Sequence, residues 1–107
     1  MIYTLSEIQA IVTPIAVQYG LRAVYVFGSY ANGTACEDSD VDLIVDTTGT
    51  DLTNLFKLGA LYSDLEEALN KKIDLLTLNS LEGPCRRESD IYFRSQVNRE
   101  RKNIYVA

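Results

Sequence analysis

The order of periodic segments predicts a small α/β (α+β) domain in which helices pack on one face of a sheet. Three observations carry that expectation. Apolar residues recur at helical spacing over two windows, 5–19 and 52–69. Short apolar runs at 22–27, 41–46 and 73–78 have the length of strands. Glycines punctuate the junctions between them.

The first helix begins with a capping box, Thr4 followed three residues later by Glu7. Leu5, Ile8, Ile11, Val12, Ile15, Ala16 and Tyr19 form its apolar face, and Gly20 ends it. Pro14 lacks an amide proton and crowds the preceding turn, so a kink or break is expected near residues 10–13. Residues 22–27 form a strand running into Gly28, and residues 41–46 form the next. After a loop marked by Gly49 and Asp51, Leu52, Leu55, Phe56, Leu58, Tyr62, Leu65 and Leu69 fit the apolar face of a second helix. Asp64 and Glu67 lie on its polar face, and Gly59 weakens it modestly. A strand at 73–78 follows with almost no loop. A turn at Gly83 and Pro84 leads to a charged helix over 86–102, and residues 104–106 form either an edge strand or an ordered tail.

The chain has 107 residues, enough for one domain covering 1–107, and 47% hydrophobic content supplies one compact core. At this size burial is limited, so a protein partner or a homo-oligomer is admitted. No run approaches the roughly 18 apolar residues of a membrane span, and residues 1–20 lack the basic stretch of a signal peptide, which makes the cytoplasm the default location. Two cysteines, Cys36 and Cys85, and no histidine rule out a disulfide scaffold, a cysteine–histidine zinc site and any histidine-based triad. Free thiols are the preferred reading of the cysteines, and carboxylates must carry any chemistry.

Net charge is −5 but unevenly spread: residues 1–70 carry −8 and residues 71–107 carry +3. The tail could therefore orient an anionic substrate or partner surface. Its cations Arg86, Arg87, Arg94, Arg99, Arg101 and Lys102 are interrupted by Glu88, Asp90 and Glu100, which favours a solvated face over direct nucleic-acid binding.

The chemistry-bearing stretch is 28–46, G-S-Y-A-N-G-T-A-C-E-D-S-D-V-D-L-I-V-D. Asp40 and Asp42 sit at i and i+2 of a strand and so share a face, while Asp74 stands alone in the later strand. Acids often terminate exposed strands for no chemical purpose. Three of them converging would repel one another without a cation, and hard oxygen donors select Mg²⁺ or Mn²⁺. Gly28 lets the backbone approach a phosphate chain, Ser29 adds a hydroxyl donor, and Gly33 has a backbone role at the start of the next loop. Two tempting motifs fail. The P-loop spacing places Thr34 where lysine is required, and the calcium-loop pattern of Asp38, Asp40 and Asp42 has Leu43 in place of its glycine and Gly49 in place of its bidentate acid.

The pattern G-S-x-A-x-G, then S-D-x-D-L, then a lone Asp in an apolar strand resembles the minimal nucleotidyltransferases of the DNA-polymerase-beta superfamily, and within it the MntA-type antitoxins paired with HEPN-domain toxins. The resemblance covers residues 4–78 well and the tail loosely. It implies a polymerase-beta-type fold with a small mixed sheet, and a nucleotidyltransferase that moves AMP from ATP to a hydroxyl with two Mg²⁺ or Mn²⁺ ions. Asp40, Asp42 and Asp74 would be both catalytic and metal-binding, and Gly28, Ser29 and Gly33 would bind the nucleotide. It further implies a tyrosine of a HEPN toxin as the acceptor. Relatives commonly carry arginine at the positions of Asn32 and Cys36, which puts triphosphate binding or target preference in question here. A non-catalytic nucleotide-binding antitoxin and a transferase acting on a small molecule remain as alternatives.

Overall fold

The computed structural model describes residues 2–52, 54–82 and 88–107. Its elements are α1 (Leu5–Tyr19), β1 (Ala23–Phe27), α2 (Ser29–Asn32), β2 (Val41–Asp46), α3 (Leu55–Leu69), β3 (Ile73–Thr77), α4 (Leu78–Glu82), α5 (Glu88–Glu100) and β4 (Lys102–Val106). The four strands form one sheet in the order β3-β2-β1-β4. β1 runs antiparallel to both β2 and β4, whereas β2 and β3 are parallel, so the sheet is mixed. A parallel pair needs a crossover, and α3 provides it. The C-terminal segment is an edge strand on β1, which resolves the alternative left open by its sequence. The expected turn at Gly83 and Pro84, together with Cys85, Arg86 and Arg87, lies outside the described residues.

Thr4 caps α1 as its sequence predicts: Glu7 N donates to Thr4 Oγ1 at 3.1 Å and Thr4 N donates to Glu7 Oε1 at 2.9 Å. Gly20 closes the helix in the left-handed region at φ 69°. The expected break at Pro14 does not occur. Residue 14 and residue 10, whose carbonyl loses its amide partner, are both exposed, so water can satisfy that carbonyl. The inward stripe is instead Ile8, Val12 and Ala16, all fully buried.

α3 begins three residues later than the apolar pattern suggested, because Asn54 caps it by accepting from Lys57 N at 2.8 Å. Leu52 is buried in the preceding loop, while Leu55 and Phe56 point outward at 87% and 90% exposure. The buried face is Leu61, Leu65 and Leu69.

α1 and α3 pack together on one face of the sheet, over Val24, Val26, Val41, Leu43, Val45 and Ile73. Tyr19 Oη bridges the two helices by donating to Asp64 Oδ2 at 2.5 Å. That bond, helped by desolvation and the Asp64 charge, pushes the Tyr19 phenol up to about 12. Stability drawn from Tyr19 is therefore fully present below the ordinary phenol pKa and is lost as pH rises through about 12. Tyr19→Phe is expected to cost about 1 kcal/mol, read as a lower midpoint in urea at neutral pH, with the difference from the parent vanishing at strongly alkaline pH.

Helices do not cover one face alone. α5 lies on the opposite face, where buried Val97 packs with Phe27 and Ile44. This second face carries the acids, because Asp42 alternates with Val41 and Leu43 of the main core.

Candidate active site

β1 delivers the chain into Gly28, whose φ of 72° and ψ of −149° belong to a region that essentially only glycine occupies. A Cβ built there would overlap Asp42 Oδ2 and stand 3.2 Å from Asp42 Cγ. Gly28 is thus favoured both by its backbone conformation and by the neighbouring carboxylate, and the second role was not read from the sequence. Residues after it form the single helical turn α2, with Ala31 N and Asn32 N both donating to Gly28 O at 3.0 Å. Gly33 ends that turn at φ 84°, which fits the backbone role expected of it. Ser29 therefore opens α2 beside the strand end that carries Gly28.

Asp42 on β2 stands level with Asp74 on the parallel strand β3 and with Phe27 on β1. The two carboxylates are thus cross-strand neighbours. Asp42 is pushed from 3.8 up to about 6, first by burial, then by a hydrogen bond with Asp74, and further by the charges of Asp74 and Asp40. Asp42 is half-buried and Asp74 is exposed on the edge strand. Both line a cavity of about 360 Å³ whose other walls are Phe27, Leu75, Leu76 and Phe93.

Phe93 comes from α5 and meets Phe27 edge to face, with ring centroids 6.4 Å apart and an interplanar angle of 84°. Sequence reasoning missed this wall residue. Its i,i+4 spacing from Val97 was the available signal.

Asp40 is placed differently. It lies one residue before β2 and lines a separate cavity of about 460 Å³ with Ser39, Lys71 and Lys72. Its charge reaches Asp42, but among the described residues no group of three or more acid or thiol side chains is gathered as a ready cage for a metal. The donor set nonetheless fits a hard divalent cation. Two carboxylates on paired strands, one of them raised by burial and by the other's proximity, gain from a cation that neutralises both.

The loop between α2 and β2 absorbs the two departures noted in the sequence. Asn32 Oδ1 is engaged by both Thr34 N and Thr34 Oγ1, at 3.1 and 2.5 Å. Cys36 is exposed, and its thiol is lowered chiefly by the Ser39 hydroxyl.

The family model for "Polymerase beta, Nucleotidyltransferase" matches residues 11–106. The chain belongs to this family. It is 40% identical over 82 residues to the protein adenylyltransferase MntA of Thermococcus cleftensis, an alignment covering 73% of this chain and 81% of that protein. Among solved structures, a toxin-antitoxin with AMP-PNP superposes with a TM-score of 0.69 at 23% identity, covering 92% of this chain and 73% of the other. The complex of a tri-AMPylated Shewanella oneidensis HEPN toxin with its MNT antitoxin superposes with a TM-score of 0.64 at 19% identity, covering 97% and 74%. These two likenesses establish a shared fold.

The sequence-level resemblance to polymerase-beta-type nucleotidyltransferases thus holds, and the chain is a nucleotidyltransferase. Among the described residues of this nucleotidyltransferase, no helix is long and apolar enough to cross a membrane.

Proposed function

We propose that the protein is a cytoplasmic adenylyltransferase of a toxin-antitoxin pair, which moves AMP from ATP to a tyrosine hydroxyl of a HEPN-type toxin and so silences it. The observation that carries the chemistry is the pairing of Asp42 with Asp74 in register across two parallel strands, beside Gly28. The acceptor and partner are supported by likeness: the MntA relative is a protein adenylyltransferase, and the Shewanella complex pairs an AMPylated HEPN toxin with an MNT antitoxin.

Asp40, Asp42 and Asp74 are the groups that would hold divalent metal. When bound, such ions supply charge neutralisation at the α-phosphate and a lowered pKa for the attacking hydroxyl. The protein's own side chains do the rest. Gly28 keeps Asp42 Oδ2 free of steric obstruction, and Ser29 offers its hydroxyl to a terminal phosphate. Asp74, exposed at the sheet edge, is accessible to the acceptor and takes its proton. The acceptor oxygen then bonds to the α-phosphorus, the α–β bridging bond breaks, and pyrophosphate leaves with the electron pair.

The test is incubation of the protein and its co-purified partner with ATP and Mg²⁺, followed by intact-mass analysis and a ribonuclease assay. AMP additions to a partner tyrosine that disappear with Asp40→Asn are expected. A partner neutralised without a mass change would replace this reading with a non-catalytic binding antitoxin. Consumption of ATP only with a small hydroxyl compound would replace it with a small-molecule transferase.

A further inference from the structure

We propose that Lys71 is a positioning residue for nucleotidyl transfer: its ammonium clips the acidic loop to the start of β3 and so fixes the backbone that carries Asp40. The inference rests on reading Asp40, Asp42 and Asp74 as metal ligands. Lys71 Nζ donates to the Glu37 carbonyl at 2.7 Å and lies 3.5 Å from the Ser39 carbonyl. On the other side of Asp40, Val41 N donates to the Lys72 carbonyl at 3.1 Å. Asp40 is therefore bracketed by two anchors, both supplied by the residues that lead into the strand of Asp74.

The clipped segment is itself a closed turn. Ser39 N donates to Cys36 O at 3.0 Å, and Cys36 N donates to Ser39 Oγ at 2.9 Å. Such a turn moves as a unit, so one strong contact at its far end governs where Asp40 stands relative to Asp42 and Asp74. A contact from a charged donor to a carbonyl is among the stronger hydrogen bonds, and Lys71 is partly buried, which favours a single geometry.

Charge and positioning predict opposite effects, which makes the role testable. A cation beside a divalent-metal site repels the metal, so loss of charge alone would tighten metal binding. Loss of a contact that orients a ligand loosens it, typically by about 10–100-fold. Mn²⁺ is titrated into the full chain with saturating AMP-PNP and followed by electron paramagnetic resonance, with far-UV circular dichroism on each variant. Lys71→Met is expected to raise the Mn²⁺ dissociation constant by about tenfold or more. Lys71→Gln, shorter and neutral, carries the same expectation should the first variant fold poorly. Lys71→Arg, which keeps charge and donors, is expected to recover most of the affinity. Unchanged or tighter Mn²⁺ binding in folded Lys71→Met and Lys71→Gln overturns this inference alone. A parent that binds no Mn²⁺ overturns the carboxylate reading and this inference with it.

Discussion

Asp42→Asn is expected to lower nucleotide transfer by at least about a thousandfold while making the metal-free protein more stable. The two effects share one cause. Asp42 is pressed by burial and by the carboxylates of Asp74 and Asp40 until its pKa reaches about 6. A carboxylate raised in this way favours the folded state while protonated, and that advantage is lost as pH rises through the folded value. Stability of the parent without metal should therefore fall between about pH 4 and pH 6, by about 1 kcal/mol once solvent screening of a half-exposed group is allowed for. The asparagine variant should show no such fall, since it keeps the volume and removes the charge. Mg²⁺ should raise the melting temperature of the parent above pH 6 and leave the variant unmoved. Thermal melts over this pH range, with and without Mg²⁺, check the stability half, and a pyrophosphate-release assay checks the catalytic half. A variant that transfers at the parental rate would remove Asp42 from the machinery.

Gly28→Ala is the second change with a large expected effect, about 2–4 kcal/mol in stability, together with loss of transfer. Two separate penalties add. The backbone at φ 72° and ψ −149° strains any residue with a side chain, and the new methyl would collide with Asp42 Oδ2. A double-mutant cycle with Asp42→Ala separates them. The collision disappears when the carboxylate is gone, so the cycle should give a coupling of at least about 1 kcal/mol, leaving the backbone penalty behind. Zero coupling would mean that the Asp42 carboxylate swings away freely and that Gly28 serves the backbone alone.

Much of the scaffold was legible because its signals are local. The strand at 41–46 was read from the alternation of Val41, Leu43 and Val45, although Asp40, counted on its face, lies just before it, and the α1 cap was read from Thr4 and Glu7. α2 was not legible, since four residues between two glycines are too few to show a period. Leu55 and Phe56 misled because apolar residues at helical spacing look the same whether or not a neighbour covers them.

The acids were named from sequence, but their mutual placement is a long-range fact. Asp42 meets Asp74 only because β2 and β3 pair in this register, and a one-residue slip would turn one of them to the other face. Asp40 shares the i,i+2 relation with Asp42, yet it stands outside the strand, where alternation no longer dictates direction. It consequently borders a different cavity. The i,i+4 spacing of Phe93 from Val97 marks a shared helix face, but that this face packs against Phe27, far away in the chain, is a long-range fact that no local pattern carries.

The parallel pairing of β2 with β3 also governs when the enzyme can exist as one. The strands that bear Asp42 and Asp74 are separated by the whole of α3, so the chain must close that long loop before the two carboxylates meet. A ribosome that has released β1, α2 and β2 has exposed the glycine turn and half of the acidic pair, but nothing competent for chemistry. Termination before β3 is expected to leave a fragment without transfer activity, because Asp74 has not yet been made.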